Sequence, residues 1–306
     1  MKDAIALQFL WTVAAVFGAG AVLIQFAWRP EKSPGSRLWA IWGFEILILA
    51  AIFVPAYLGG LWLLGAVLIL AMVSGSELFS TLEKASRRPH RAAGLALGAL
   101  GIWGIYAWPG LSPYIFIPLL VLAVVLRRRR RLPSEGGSST DPRLSRGYDT
   151  LVGLLYPSLC LAHLLEIAGM QGGFGMVVFY YGVIETSDSF AFLVGGALGK
   201  RKIWPRLSPR KTVEGTLAGA AAGLCIAYVL RFAVPGFSTP QLLGAVALIM
   251  VGGLAGDLFA SSIKRSAGTR NFSGLIPNHG GLLDVYDSLV LGSPLFYYYL
   301  RLNGFG

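Results

Sequence analysis

The 306-residue chain is 55% hydrophobic and only 13% charged, with a formal net charge of +11 and a mean hydropathy of +0.64. Soluble domains carry roughly 25% charged residues, so this composition excludes an ordinary water-soluble enzyme and points to an integral membrane protein. Long continuous apolar runs suit helices of roughly 20 residues crossing about 30 Å of hydrocarbon, and they exclude open sheets and the alternating strands of a barrel.

Ten apolar runs follow one another, over 4–27, 38–55, 58–80, 92–108, 111–126, 148–170, 172–194, 213–234, 238–260 and 284–301. The expected fold is all-α: a polytopic integral membrane helical bundle of about ten transmembrane helices. The first run is too long for a signal-peptide core and lacks a small-residue cleavage site, so it reads as the first transmembrane helix. Pro55, Gly59-Gly60, Pro109-Gly110, Gly172-Gly173 and Pro235-Gly236 mark tight turns between spans. Cys160 and Cys225 sit inside apolar runs without metal-type spacing and read as packing residues.

Lys and Arg fall in every second connection, at 29–37, 84–91, 127–147, 195–212 and 261–283, with only Lys2, Arg231 and Arg301 elsewhere. The positive-inside rule assigns these five loops to the cytoplasm and both termini to the other side of a bacterial-type inner membrane. The cations thereby read as topology signals, and no nucleic-acid partner is expected. The arginine run 127–131 and the Gly/Ser-rich stretch behind it read as a basic cytoplasmic linker, 127–147, between an N-terminal transmembrane half (1–126) and a C-terminal transmembrane half (148–306).

Three polar stretches of the second half then face the same side. In "IETSDSFAFLVGG" Glu185 and Asp188 are three apart and share one helix face. A carboxylate at helix-centre depth costs about 2.5–3.5 kcal/mol to insert, so it calls for a cavity, a cation or a partner. In "GKRKIWPRLSPRKTVEGT" the Ser208-Pro209 turn enters the eighth helix, where hydroxyls, cations and a helix N-terminus suit a phosphate, although an ordinary basic loop has the same composition. In "GDLFASSIKR" Asp257, Ser261 and Lys264 form one stripe at i, i+4 and i+7, and beyond the loop Asp284 and Asp287 open the tenth helix at i and i+3. Carboxylates at two helix ends beside cationic loops suit a divalent ion on phosphate oxygens, magnesium better than zinc because the donors are oxygens.

The run Ser-x-x-Lys-Arg … Pro-Asn-His-Gly-Gly-Leu-Leu-Asp-x-x-Asp, from Ser261 to Asp287, resembles the signature of the phosphatidate cytidylyltransferases, or CDP-diacylglycerol synthases. "SPRKTVEG" (Ser208–Gly215) resembles that family's Ser-Pro-x-Lys-Thr-x-x-Gly segment, and Asp188 with Phe192 and Gly195 resembles its Asp-x-x-Ala-Tyr/Phe stretch. In the first half only "SELFSTLEK" is similar, with Glu77 at the place of a membrane glutamate. The chain departs from the pattern at Arg270-Asn271, where the family has Lys-Asp, and at Val285-Tyr286, where it has an arginine after the first aspartate.

The resemblance implies transfer of CMP from CTP to phosphatidic acid, giving CDP-diacylglycerol and pyrophosphate with Mg2+. It implies metal binding by Asp257 and Asp284 with Asp287 in support. It implies phosphates surrounded by Ser208, Lys211, Thr212, Lys264, Arg265 and His279, and a close backbone approach to the nucleotide at Gly280-Gly281. Lys264 and Asp188 complete the expected catalytic set. The expected partners are CTP, a lipid phosphate, membrane lipids and a second copy of the chain in a homodimer. A CTP-dependent lipid-alcohol kinase, or an inactive homologue that binds lipid or nucleotide, is the alternative. Transport is disfavoured, because the acidic residues gather at one surface and not at midplane.

Overall fold

Each of the ten apolar runs is helical over most of its length in the computed structural model. It describes the backbone of residues 1–27, 35–131, 142–205, 207–276 and 279–306, and side chains within those ranges except 16–45 and 129–142. Most of the expected linker (132–141) and of the first basic connection (28–34) lies outside the described residues. The helices are α1 (Lys2–Ala27), α2 (Gly35–Leu58), α3 (Gly60–Lys84), α4 (Arg91–Ala107), α5 (Ser112–Arg131), α6 (Pro142–Gly153), α7 (Cys160–Gly169), α8 (Gly173–Ala197), α9 (Val213–Val229), α10 (Thr239–Ser266) and α11 (Leu282–Leu302). Among the described residues, Gly60–Lys84, Arg143–Gly169, Gly173–Ala197, Val213–Ala233 and Thr239–Ser266 are each long and apolar enough to cross a bilayer.

The sixth span occupies the middle of the bundle. Its most apolar stretch is 94% buried, as a helix apolar on all sides must be when neighbours surround it. The sequence reads as one continuous helix over 148–170, and the structure corrects this: α6 and α7 are joined by a kinked segment, Leu154–Leu159, in which Tyr156 leaves helical geometry. Pro157 explains the break. It removes one amide donor and pushes Tyr156 out of helical geometry, to φ −117° and ψ 111°.

Around this span, α3, α4, α8 and α11 pack inward, while α8 pairs most closely with α9 and α10 with α11. Lipid tails are as apolar as the helices, so close backbone approach, and not burial, must hold such pairs. Gly256 shows the effect: a β-carbon there would lie 2.2 Å from the Asp287 carbonyl oxygen. Elsewhere aromatic packing holds the helices together. Tyr180 stacks on Phe296 at 5.4 Å between centroids and donates to the Leu289 carbonyl at 2.5 Å. Leu61, Trp62, Ile69, Tyr114 and Phe192 point outward, as a lipid-facing surface requires.

The structure also corrects the expectation of helix throughout. Lys202–Trp204 (β1) and Ser208–Thr212 (β2) pair as an antiparallel hairpin, with Lys202 opposite Thr212 and Trp204 opposite Ser208. The turn expected at Ser208 is therefore a strand running straight into α9, with Thr212 as its N-cap. Contacts of Lys211, Asp257, Lys264 and Glu77 tie this hairpin, the carboxyl ends of α3 and α10, and the amino end of α11 together at one end of the bundle.

Candidate active site

Four elements deliver charged side chains to one cleft. Lys211 on β2 meets Asp257 Oδ2 of α10 at 2.5 Å. One turn further along α10, the Ser261 hydroxyl donates to Asp257 Oδ1 at 3.3 Å. Lys264, the last member of the same stripe, crosses to α11 and reaches Asp284 Oδ1 at 2.8 Å and Asp287 Oδ2 at 3.6 Å. Asp188 of α8 interacts with Ser288, Lys211 and Asp257. Four aspartates from three helices thus share two lysines.

The cleft has an open side and a floor. Asp188 is exposed, and Asp257 and Lys211 retain 25% and 20% of their side-chain surface. Lys264, Asp284 and Asp287 lie beneath, between 6% and 11% accessible. Phe272 covers Lys264, with its ring centroid 5.1 Å from the ammonium nitrogen.

Asp284 is held by the chain itself. Its Oδ2 accepts from the backbone N–H of Phe272 and of Gly281, each at 2.8 Å, so it folds back over the amino end of its own helix. A second carboxylate completes that end from across the molecule. Glu77 of α3 accepts from the Ser273 hydroxyl at 2.6 Å, from Leu282 N at 3.0 Å and from Leu283 N at 2.8 Å. The Gly281, Leu282 and Leu283 amides at the start of α11, which would otherwise attract an anion, are already taken by Asp284 and Glu77.

Gly280 and Gly281 lie against these carboxylates. A β-carbon on Gly280 (φ +104°) would meet Asp284 Oδ2 at 2.7 Å, and one on Gly281 would meet both Glu77 oxygens at 2.7 Å. The two glycines make room for protein carboxylates. The loop before them closes on an Ile276–Gly280 bridge that carries His279, while Pro277 and Asn278 of the signature lie outside the described residues.

Of the other residues expected around phosphates, Thr212 is buried and caps α9 by accepting from Gly215 N at 3.1 Å. Ser208 opens β2 directly opposite Trp204, at the bend of the hairpin. Arg265 is exposed and donates to the Thr269 carbonyl at 3.3 Å. Among the described residues no three His, Cys, Asp or Glu side chains converge as a ready metal-binding group; lysines stand between the carboxylates. The donor chemistry nevertheless suits a hard cation, since all four acids offer oxygen and two ammonium groups leave their charge incompletely balanced. A separate cavity of about 320 Å³, lined by Ile5, Ala56, Leu63, Tyr106 and Leu165, has no carboxylate in its wall.

The match to known proteins runs through this same cleft. A model of the cytidylyltransferase family covers residues 38–303, nearly the whole chain and every charged residue of the site. The chain belongs to the cytidylyltransferase family. Among curated relatives, a phosphatidate cytidylyltransferase of Aquifex aeolicus is 39% identical over 145 residues, 47% of this chain and 53% of that protein. That of Bacillus subtilis is 36% identical over 160 residues, 51% of this chain and 58% of the relative. A protein of Escherichia coli described as uncharacterized, YnbB, is 36% identical over 138 residues, 45% and 46% of the two chains. The chain thus matches about half the length of these relatives.

Within this family fold, spacing alone finds Asp257, Lys264, Asp284 and Asp287. It does not find the cap formed by Glu77, whose partners lie some two hundred residues away in sequence.

Proposed function

We propose that the protein is a membrane cytidylyltransferase that transfers CMP from CTP to a phosphatidate-like lipid, yielding CDP-diacylglycerol and pyrophosphate. The observation that carries this reading is the cluster in which Asp188, Asp257, Asp284 and Asp287 share Lys211 and Lys264 at the basic end of the bundle. The family match and the printed names of its relatives support it.

In this reaction an oxygen of the lipid phosphate attacks the α-phosphorus of CTP. A new P–O–P linkage forms as the bond to the β-phosphate breaks, and pyrophosphate carries away the electron pair. The nucleophile is already an anion, so the main barrier is repulsion between two highly charged reactants, and positioned cations relieve it. Lys211 and Lys264 are the cations this chain supplies. Each is now paired with carboxylate, and an arriving phosphate competes for the same ammonium group.

Mg2+ would be held by Asp257 and Asp284, with Asp287 in support; Asp284 would offer what its backbone contacts leave free. When bound, such an ion supplies charge neutralisation at the phosphate oxygens. Ser208 and His279 would add phosphate contacts from the hairpin and the signature loop. The open side of the cleft faces the cytoplasm in this reading, because the basic connections gather there and CTP is a cytosolic metabolite. The assembly expected is a homodimer, read out by light scattering of the detergent-solubilised protein.

The deciding experiment supplies purified protein with labelled CTP, Mg2+ and phosphatidic acid and separates the lipid products by thin-layer chromatography. The reading requires a CDP-lipid and equimolar pyrophosphate. Release of CDP with a phosphorylated lipid alcohol would identify the kinase instead, and no product at any metal concentration would refute catalysis.

A further inference from the structure

The turn between α3 and α4 holds an open notch of about 430 Å³, lined by Glu83, Ser86, Arg87, Arg88 and Pro89. Glu83 follows Glu77 along α3 by about 9 Å of helix axis, so the notch opens at the cleft end of the bundle. Two contacts hold the turn against α6. Arg87 reaches Asp149 at 3.2 Å, where the carboxylate is only 1% exposed, and the His90 amide donates to Thr150 Oγ1 at 2.8 Å. Arg87 is thereby spent on the protein and fixes one wall of the notch.

The other cations there are not spent. Arg91 donates to the Ser76 hydroxyl at 2.6 Å, but its carboxylate contact, Glu83, is 3.8 Å away, with the two side chains 40% and 44% accessible. An exposed pair of that length contributes little, and salt weakens it further. Lys84 and Arg88 are exposed, and neither has an ion pair among the described residues. Three cations with charge to offer thus face one loosely held acid.

Position selects the class of anion. The turn joins two apolar helices, so it stands at the level of the lipid headgroups. Below it α4 exposes Leu97, Leu100 and Trp103, spaced three apart and so on one outward face. Guanidinium groups suit phosphate oxygens, and an apolar stripe suits an acyl chain. A phospholipid joins both features in one molecule, whereas free phosphate would use only the first.

We propose that this notch binds the headgroup of an anionic membrane phospholipid, with Arg88 and Arg91 on the phosphate and Lys84 at the rim. Arg91 exchanges its Glu83 contact for the lipid as the headgroup enters. The site shares no residue with the aspartate cleft, and the inference does not depend on the cytidylyltransferase reading.

The test places the purified full chain in bilayer discs of phosphatidylcholine, alone or mixed with phosphatidylglycerol. Two quantities are read: the phosphatidylglycerol retained after extraction into detergent, by native mass spectrometry, and the melting temperature in the discs. The parent should retain phosphatidylglycerol in preference to phosphatidylcholine and melt higher in its presence, since a ligand of the folded state stabilises it. Arg88→Gln/Arg91→Gln should lower retention about twenty-fold, at about five-fold per cation, and remove the melting shift. Arg127→Gln/Arg128→Gln takes the same charge from the end of α5 and should stay within about two-fold of the parent. Equal losses in the two double variants would mean general surface charge and overturn the proposal, as would a parent without preference. If sodium phosphate raised the melting temperature in pure phosphatidylcholine as far as phosphatidylglycerol does, the site would be one for free phosphate, and the lipid assignment would fall. Should Arg88→Gln/Arg91→Gln melt below the parent in phosphatidylcholine alone, Arg88→Gln by itself carries the test; retention within about two-fold of the parent then overturns the proposal.

Discussion

The carboxylate of Glu77 stands where a side chain on Gly281 would begin, 2.7 Å from the ideal β-carbon position. One residue is near the end of α3 and the other is the N-cap of α11, and their contact seals the helix that carries Asp284 and Asp287. Gly281→Ala is therefore expected to dislodge Glu77 and free the Leu282 and Leu283 amides. Each buried donor left bare costs about 1–3 kcal/mol. The melting temperature in detergent should fall by several degrees, and activity should fall with it, because the first turn of α11 shifts.

Glu77→Gln probes the same contact without a steric change. The amide presents a donor toward one of three groups that also donate, from Ser273, Leu282 and Leu283. A stability loss of about 1–3 kcal/mol is expected, together with a roughly ten-fold drop in kcat and little change in KM for CTP. Thermal melting and steady-state kinetics on the same preparation check both.

At the open side, Lys211 and Asp257 form a single unit at 2.5 Å. Lys211→Met and Asp257→Asn should each reduce kcat/KM at least about a hundred-fold. Residues that act together are not additive, so the combined variant should be no more than about three-fold worse than the poorer single one. Full additivity in the steady-state rates would mean that the two side chains act on different steps.

Lys264→Met removes the ammonium that Asp284 and Asp287 share. Breaking a buried ion pair on one side costs about 3–5 kcal/mol, since the remaining charge is left without compensation. This variant should be the least stable of the site variants and inactive in the product assay. Lys264→Met/Asp287→Asn should recover part of the melting temperature without recovering activity.

Arg265→Ala offers the opposite expectation. The side chain is exposed and its one described hydrogen bond is to the Thr269 carbonyl. Activity should stay within about three-fold of the parent at saturating CTP, although the Lys264-Arg265 dipeptide reads as a pair of phosphate ligands.

Hydropathy makes the helices legible, because a bilayer admits almost no other solution for long apolar runs. Helical spacing makes the Asp257–Ser261–Lys264 stripe legible, and all three side chains do point into one cleft. What spacing cannot tell is which acid is spent on the protein's own backbone. Asp284 and Asp287 look equivalent at i and i+3, yet one caps its helix and the other lies on the cleft floor. The glycine pair is ambiguous for a related reason: a missing β-carbon says that something comes close, not what, and at Gly281 it is Glu77 from a distant helix. Two local signals do mark the departures from straight helix. The Tyr156-Pro157 step disfavours helix at its first residue, and the Ile203-Trp204 pair favours a strand within an otherwise cationic connection.

The bond between α3 and α11 also sets a limit for anyone wishing to shorten the molecule. Removal of α1 and α2 spares the seal, whereas a start inside α3 frays or deletes the glutamate on which the last helix leans. The smallest working version should accordingly begin at or before Gly60, well ahead of the stretch that carries the recognisable motifs.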